Sequence, residues 1–96
     1  MSYSVRLTAA AERQLRRLSG RVQERLVGAL VLLELEPRPA GCRKLTGESL
    51  YRVRVGDCRI VYEVHDRELL VLVLRVAHPR PLNIARAGGL SMRLRT

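Results

Sequence analysis

Three arginines stand at positions suited to phosphate chemistry in the stretch YRVRVGDCRIVYEV, residues 51–64. Arg52 and Arg54 alternate with apolar residues, and Arg59 follows a short turn signal. A guanidinium group is planar, stays charged and can bind two phosphate oxygens at once. It also stabilises the negative charge that develops when a phosphodiester reacts. The spacing therefore predicts a phosphate site, provided that the three side chains face the same way.

The residues around these arginines predict a β-hairpin. Apolar alternation indicates strands over 50–55 and 58–64, and the intervening Gly56-Asp57 is typical of a tight two-residue turn. Side chains alternate across a strand, so this turn pairs Arg54 with Arg59. Arg52 is paired with Val61 on the same face, and the other face is apolar. Arg52, Arg54 and Arg59 are called the arginine cluster below.

Two interpretations of the arginine cluster compete. One face of an antiparallel sheet is often solvated and charged, but such a face usually mixes signs. Here the charges near the turn are positive, and a directly opposed pair such as Arg54–Arg59 is destabilising unless an anion lies between them. Glu63 falls on the same predicted face and offers partial neutralisation. We favour the anion site.

Four further residues complete the predicted site. His78 is the member that changes charge near neutral pH, so it is the candidate for acid–base catalysis; the alternative is a solvated histidine. Lys44, Arg75 and Arg80 are candidates for contacts with a nucleic-acid backbone. The sequence contains no metal-ligand cluster and no glycine-rich phosphate loop, so no cofactor and no metal are predicted.

The composition indicates one globular domain, 1–96, with an anionic partner. Lys and Arg number 18 against 9 Asp and Glu, a net charge of +9. Such a surface attracts a polyanion or an acidic protein segment, although a preference for arginine codons explains part of the composition. Three aromatic residues argue against an aromatic platform for RNA bases. Two isolated cysteines and the lack of a signal peptide or membrane span favour the cytoplasm.

The order of elements predicts an α+β fold, β-α-α-β-β-β. A strand at 3–7 precedes a helix capped by Thr8, which Ser19-Gly20 ends, and a second helix runs from 21 to Pro37. A loop, 37–49, leads to the hairpin and to a final apolar strand, 69–77. The helices form a hairpin packed on one face of a small, mainly antiparallel sheet. The tail, 79–96, is predicted to be divergent and mobile.

Over residues 3–78 the sequence resembles RelE-type toxins of the RelE/ParE superfamily of toxin–antitoxin systems. The resemblance is carried by YSVRLTAAAERQLRRL and, more specifically, by KLTGESLYRVRVGDCRIVYEVHDRELLVLVLRVAH. It implies the fold above and a toxin that a cognate antitoxin inhibits through an acidic or amphipathic segment. It also implies action in the ribosomal A site, where the 2′-OH of the messenger attacks the adjacent phosphate.

The same resemblance implies roles for individual residues. Arg52 and Arg54 match the basic pair of the family, Arg59 matches the arginine of the next strand, and His78 matches a basic position after the last strand. Relatives ending in His-Arg-Arg-x-x-Tyr differ from this chain, which has Pro79 and Asn83 but keeps Arg80. Either activity is weak, or His78 and water carry the proton transfers. The alternatives are a ParE-like inhibitor of DNA gyrase and a relative that only binds antitoxin or nucleic acid.

Overall fold

The computed structural model describes residues 2–45 and 49–78. It confirms the predicted α+β order of strands and helices and adds one short strand, β2, inside the predicted loop 37–49. The elements in chain order are β1 (Ser4–Leu7), α1 (Ala9–Arg16), α2 (Gly20–Leu35), β2 (Arg43–Lys44), β3 (Leu50–Val55), β4 (Cys58–His65) and β5 (Leu70–Ala77).

Side-chain caps fix the starts of both helices. The hydroxyl of Thr8 accepts a hydrogen bond from the Ala11 N–H, which confirms the predicted cap of α1. Ser19 accepts from the Val22 N–H in the same way. The prediction that Ser19-Gly20 ends the first helix is therefore wrong: α1 ends at Arg16, and Ser19 begins the next helix. Serine competes for backbone groups at either end of a helix, so its type alone does not decide between the two positions.

The five strands form one sheet in the order β1-β5-β4-β3-β2. Only β1 and β5 are parallel, and the other neighbours are antiparallel. The predicted pairing of β3 with β4 is confirmed at every position from Tyr51–Tyr62 to Val55–Cys58. The arginine cluster therefore lies on one face of the sheet, which is called the open face below.

The opposite face of the sheet packs against the helices. Tyr62, fully buried there, stacks on Tyr51 and donates a 2.8 Å hydrogen bond to the Pro37 carbonyl. That bond ties the end of α2 to the centre of the sheet. The buried apolar residues are Ala11, Leu26, Leu30, Leu33, Cys58, Ile60, Tyr62, Val64, Val71, Val73 and Val76.

The final strand departs from the prediction that both of its faces are covered. Val71, Val73 and Val76 are buried against the helices, whereas Arg75 is exposed and the other residues of β5 are half-buried. Leu69, predicted to start the strand, lies in the preceding turn with φ 51. Within the described residues, the longest helix, α2, is too short or too polar to cross a membrane.

Candidate functional site

The turn between β3 and β4 sets the geometry of the arginine cluster. Gly56 has φ 59, whereas Asp57 is not in the positive-φ region, as a type II′ turn requires. This turn fixes the register in which Arg54 stands directly opposite Arg59 and Arg52 opposite Val61. Directly opposed side chains in such a ladder have Cβ atoms about 5 Å apart. The two charges are thus held close together by the backbone.

A depression of about 340 Å³ opens between these side chains. A fourth arginine, Arg43, contributes to it because β2 pairs with β3 so that Arg43 lies opposite Arg52. Arg43 was not predicted as a site residue, because a two-residue strand within a loop rich in proline and glycine has no measurable periodicity. We call this site the arginine depression, and it is lined by Gly41, Arg43, Arg52, Arg54 and Arg59.

Lys44, a predicted RNA contact, is not brought to the arginine depression. Its register partner is Tyr51, whose ring stacks on Tyr62 on the helix-facing side of the sheet. Neighbouring residues of a strand point to opposite faces, so Arg43 occupies the position on the open face and Lys44 does not.

The arginines of the depression have no carboxylate partner in the part of the chain that the structure describes. Arg54 donates a 3.3 Å hydrogen bond from Nε to the Gly56 carbonyl, a neutral acceptor. Glu63, the predicted internal counter-ion, instead lies 2.8 Å from His65, with its Oε1 facing Nε2. The positive charge of the depression is therefore available to an external anion.

Arg38, in contrast, is neutralised by a carboxylate of the protein itself. Arg38 forms a 2.8 Å ion pair with Asp66 and donates from Nε to the Tyr51 hydroxyl at 3.0 Å. The hydrogen bond that Arg38 donates to Asp66 lowers the pKa of the Asp66 carboxyl group. The Tyr3 hydroxyl also donates to Asp66, and that bond raises the pKa of Tyr3. This arginine is used structurally, joining the segment after α2 to β3 and to the turn after β4.

The remaining predicted residues lie along β5 and beyond it. Arg75 is exposed and stands opposite Val61, which itself faces Arg52, so Arg75 reaches the open face two strands away from Arg52. His78 follows Ala77, the residue opposite Arg59, and is not part of the lining of the arginine depression. Arg80, with Pro79 and Asn83, lies outside the described residues.

The family comparison covers most of the chain. Residues 5–81 match the model of the ParE toxin of the type II toxin–antitoxin system parDE. A comparison with curated protein sequences found no significant match.

The solved structures that match this fold include toxins of toxin–antitoxin systems. A chain of the toxin–antitoxin complex RelBE2 from Mycobacterium tuberculosis is 31% identical, with a TM-score of 0.73 over 81% of this chain and 99% of that one. The archaeal RelE–RelB complex from Pyrococcus horikoshii gives 28% identity and a TM-score of 0.74 over 81% and 96% of the two chains. A variant of the E. coli toxin RelE in the free state is 30% identical, with a TM-score of 0.70 over 81% of this chain and 84% of that one.

The sheet order, the two helices on one face and the match over 5–81 agree with one another. The sequence resemblance to RelE-type toxins is thereby confirmed at the level of the family and the fold. The chain belongs to the ParE toxin family of type II toxin–antitoxin systems, in the RelE/ParE superfamily, and its fold is that of the RelE toxins.

Proposed function

We propose that this toxin is a ribosome-dependent endoribonuclease that cleaves messenger RNA in the cytoplasm. The observation that carries the proposal is the arginine depression: four guanidinium groups around one concavity, with no carboxylate partner among the described residues. A phosphodiester is an anion with oxygens suited to bidentate contact by arginine. A toxin that only docks on a protein has no comparable need for opposed arginines at one point of its sheet.

The reaction that fits this site needs no metal and no bound cofactor. The 2′-oxygen of one nucleotide attacks the adjacent phosphorus, the bond from phosphorus to the 5′-oxygen of the next nucleotide breaks, and a 2′,3′-cyclic phosphate remains. The negative charge on the phosphoryl oxygens increases in the transition state. Arg54 and Arg59, held in opposition by the turn, supply fixed positive charge there without having to reorganise.

Two proton transfers remain, and arginine performs neither because it does not deprotonate in proteins. A proton must leave the 2′-hydroxyl, and another must reach the departing 5′-oxygen. We assign these transfers to His78 and water, since His78 lies just beyond the residue opposite Arg59. We assign substrate binding to Lys44, Arg75 and Arg80. Lys44 lies at the margin of the site, because its register with Tyr51 keeps it off the open face.

The assignment of His78 predicts a change in pH dependence. His78→Ala should slow cleavage by about 10²-fold, the usual contribution of a general acid or base, and should change the shape of the pH–rate profile. The measurement is single-turnover cleavage of ribosome-bound message between pH 5.5 and 8.5. A profile of unchanged shape would exclude His78 from proton transfer.

The proposed protein partner is a cognate antitoxin. Related chains were crystallised in complexes with their RelB antitoxins. Here, the outward side of α2 exposes apolar side chains, with Leu32 at 62% and Leu35 at 68% exposure. An amphipathic antitoxin segment with acidic residues would cover this row and reach the positive charge of the neighbouring sheet. An antitoxin segment that continues round the edge of the sheet to the open face would also block access of RNA to the arginine depression.

The alternative function is inhibition of DNA gyrase without RNA cleavage. The description of the matching family model favours it, since that model is named for ParE. The divergence at Pro79 and Asn83 also favours this alternative or a relative without activity. The arginine depression favours the nuclease.

One expression experiment separates these functions. The chain is expressed with and without its genomic neighbour, and the 5′ ends of messenger RNA are mapped during growth arrest. Cuts phased with codons in translated messages support the nuclease. Arrest with intact messages and induction of a DNA-damage response supports gyrase inhibition, and no arrest supports a relative that only binds.

A further inference from the structure

A β-bulge in β5 decides which way Arg75 points. Tyr62 stands opposite Val73, but its neighbour Val61 stands opposite Arg75, so Leu74 is an extra residue in β5 with no partner in β4. Simple alternation from the buried Val73 would place Arg75 on the helix-facing side. The bulge reverses the alternation, as bulges do, and Arg75 becomes exposed while Val76 is buried.

Two side chains of the first helical segment bind the backbone on either side of Arg75. The Thr8 hydroxyl donates to the Leu74 carbonyl at 3.1 Å, and the Val76 N–H donates to Gln14 Oε1 at 2.7 Å. A bulge disrupts the hydrogen-bond ladder of its strand, and buried backbone groups need replacement partners. Thr8 and Gln14 provide them from across the helix–sheet interface.

We propose that Gln14 is a positioning residue for RNA binding, because its bond to the Val76 N–H holds the bulge that turns Arg75 to the open face. The role in RNA binding rests on the proposed function, whereas the bond between Gln14 and the bulge does not. Gln14 itself lies on α1, on the opposite side of the sheet from the arginine depression, and does not touch the RNA.

The bulge adds a separate phosphate contact to the site. Arg43, Arg52 and Arg75 lie in one row across the sheet, with Val61 between the last two. Adjacent strands are about 4.8 Å apart, so the backbones of Arg52 and Arg75 are separated by roughly 10 Å. Arg75 therefore suits a phosphate of a neighbouring nucleotide, outside the arginine depression.

The test uses the full chain and a single-stranded RNA whose 2′-hydroxyls are methylated, so that it binds without being cleaved. Its affinity is measured from low to high salt for wild type, Gln14→Met, Gln14→Glu, Arg75→Ala and the double variant Q14M/R75A. Methionine has the length of glutamine but only a weak acceptor, whereas glutamate retains an acceptor for the Val76 N–H. NMR follows the exchange of the Val76 amide and the Val61–Arg75 register, with the Val64 amide as the control for folding.

Loss of one phosphate contact should decrease the magnitude of the negative slope of log affinity against log salt by about 0.7 for a single strand. We expect Q14M and Arg75→Ala each to show that decrease, the double variant to show no further decrease, and Q14E to keep the bulge register. The inference is overturned if Q14M speeds Val76 exchange but leaves the salt slope unchanged, or if Val61 and Arg75 stay in register. If wild type binds no RNA, the phosphate-binding role of Arg75 is overturned and the NMR register alone decides whether Gln14 holds the bulge, whereas the proposed function is decided separately by cleavage of ribosome-bound message.

Discussion

At the scale of single residues, opposed like charges in the hairpin carry the functional argument. Arg54 and Arg59 face each other with no carboxylate partner among residues 2–45 and 49–78. Such a pair costs stability in the free protein and is useful only when an anion occupies the space between. Removal of either arginine should therefore lower the activity without lowering the free energy of unfolding.

Arg59→Ala tests this opposition. Cleavage should fall by about 10²-fold or more, as for loss of one group that stabilises transition-state charge, and growth arrest should disappear. The free energy of unfolding should stay within about 0.5 kcal/mol of wild type, or rise slightly, because Arg59 is exposed and a repulsion is removed. Urea unfolding and the cleavage assay provide the two measurements.

The matched control is Arg67→Ala, which removes the same charge from an exposed position in the turn after β4, at the other end of that strand. It should leave both cleavage and stability near wild type. Equal loss of activity in the two variants would mean that overall charge matters and that the depression does not.

Asp66 gives a prediction about pH and stability. The hydrogen bond from Arg38, assisted by Tyr3, holds the pKa of Asp66 below its ordinary value of 3.8. The folded state then binds the proton more weakly than the unfolded state, so this stabilisation is complete above that ordinary value and is lost as the pH falls through the folded-state pKa. Asp66→Asn should be less stable than wild type at pH 7, and the difference should vanish in acid.

The urea midpoint measured from pH 7 to pH 2 checks this, with Glu24→Gln on the exposed side of α2 as the control. That control removes an equal charge from a site without an ion pair in the described structure. If the difference in urea midpoint between wild type and Asp66→Asn stays constant down to pH 2, the role of the ion pair is disproved.

At the scale of elements, the hairpin and the final strand β5 were predictable, whereas β2 and the bulge in β5 were not. Alternation and the Gly56-Asp57 signal were enough to predict the register of β3 and β4. The short strand β2, with Arg43, was missed because its partner β3 is what makes it a strand. The bulge at Leu74 was hidden because Arg75 is the one polar residue of β5, and a single polar side chain does not show whether the strand alternates regularly. Both features depend on tertiary contacts.

The turn between β3 and β4 can be tested with two glycines. Gly56→Ala should destabilise the protein by about 1–2 kcal/mol, because a side chain is unfavourable at φ 59. Its Cβ would also lie 3.0 Å from an Nη of Arg25. The same change at Gly28, in the exposed part of α2 with open space around it, should stabilise by roughly 0.5–1 kcal/mol. Chemical denaturation measures both.

Opposite signs at these two positions would show that the turn conformation, and not chain flexibility in general, maintains the opposed arginines. Stabilisation at both positions would contradict the assigned turn.

At the scale of the whole molecule, the sequence was sufficient for the fold and the family. The order of periodic segments predicted the two helices and the sheet, and the match over residues 5–81 confirms the family. The site was predicted only in part. The sequence placed the arginine cluster on one face, and the structure agrees. Lys44, predicted as an RNA contact, lies by register on the other side of the sheet, and Arg80 lies outside the described residues. A long, regular strand specifies which face a residue occupies, whereas a two-residue strand and a bulged strand do not.

The central claim is that the arginine depression stabilises a reacting phosphodiester of ribosome-bound RNA. The most direct measurement adds the purified toxin to ribosomes programmed with a message, first unmodified and then with one 2′-deoxy nucleotide at the cleaved position. We expect the unmodified message to be cut to a 2′,3′-cyclic phosphate by wild type, weakly by Arg59→Ala, and the deoxy message not at all. Equal cleavage of the deoxy message, or full cleavage by Arg59→Ala, would contradict the claim.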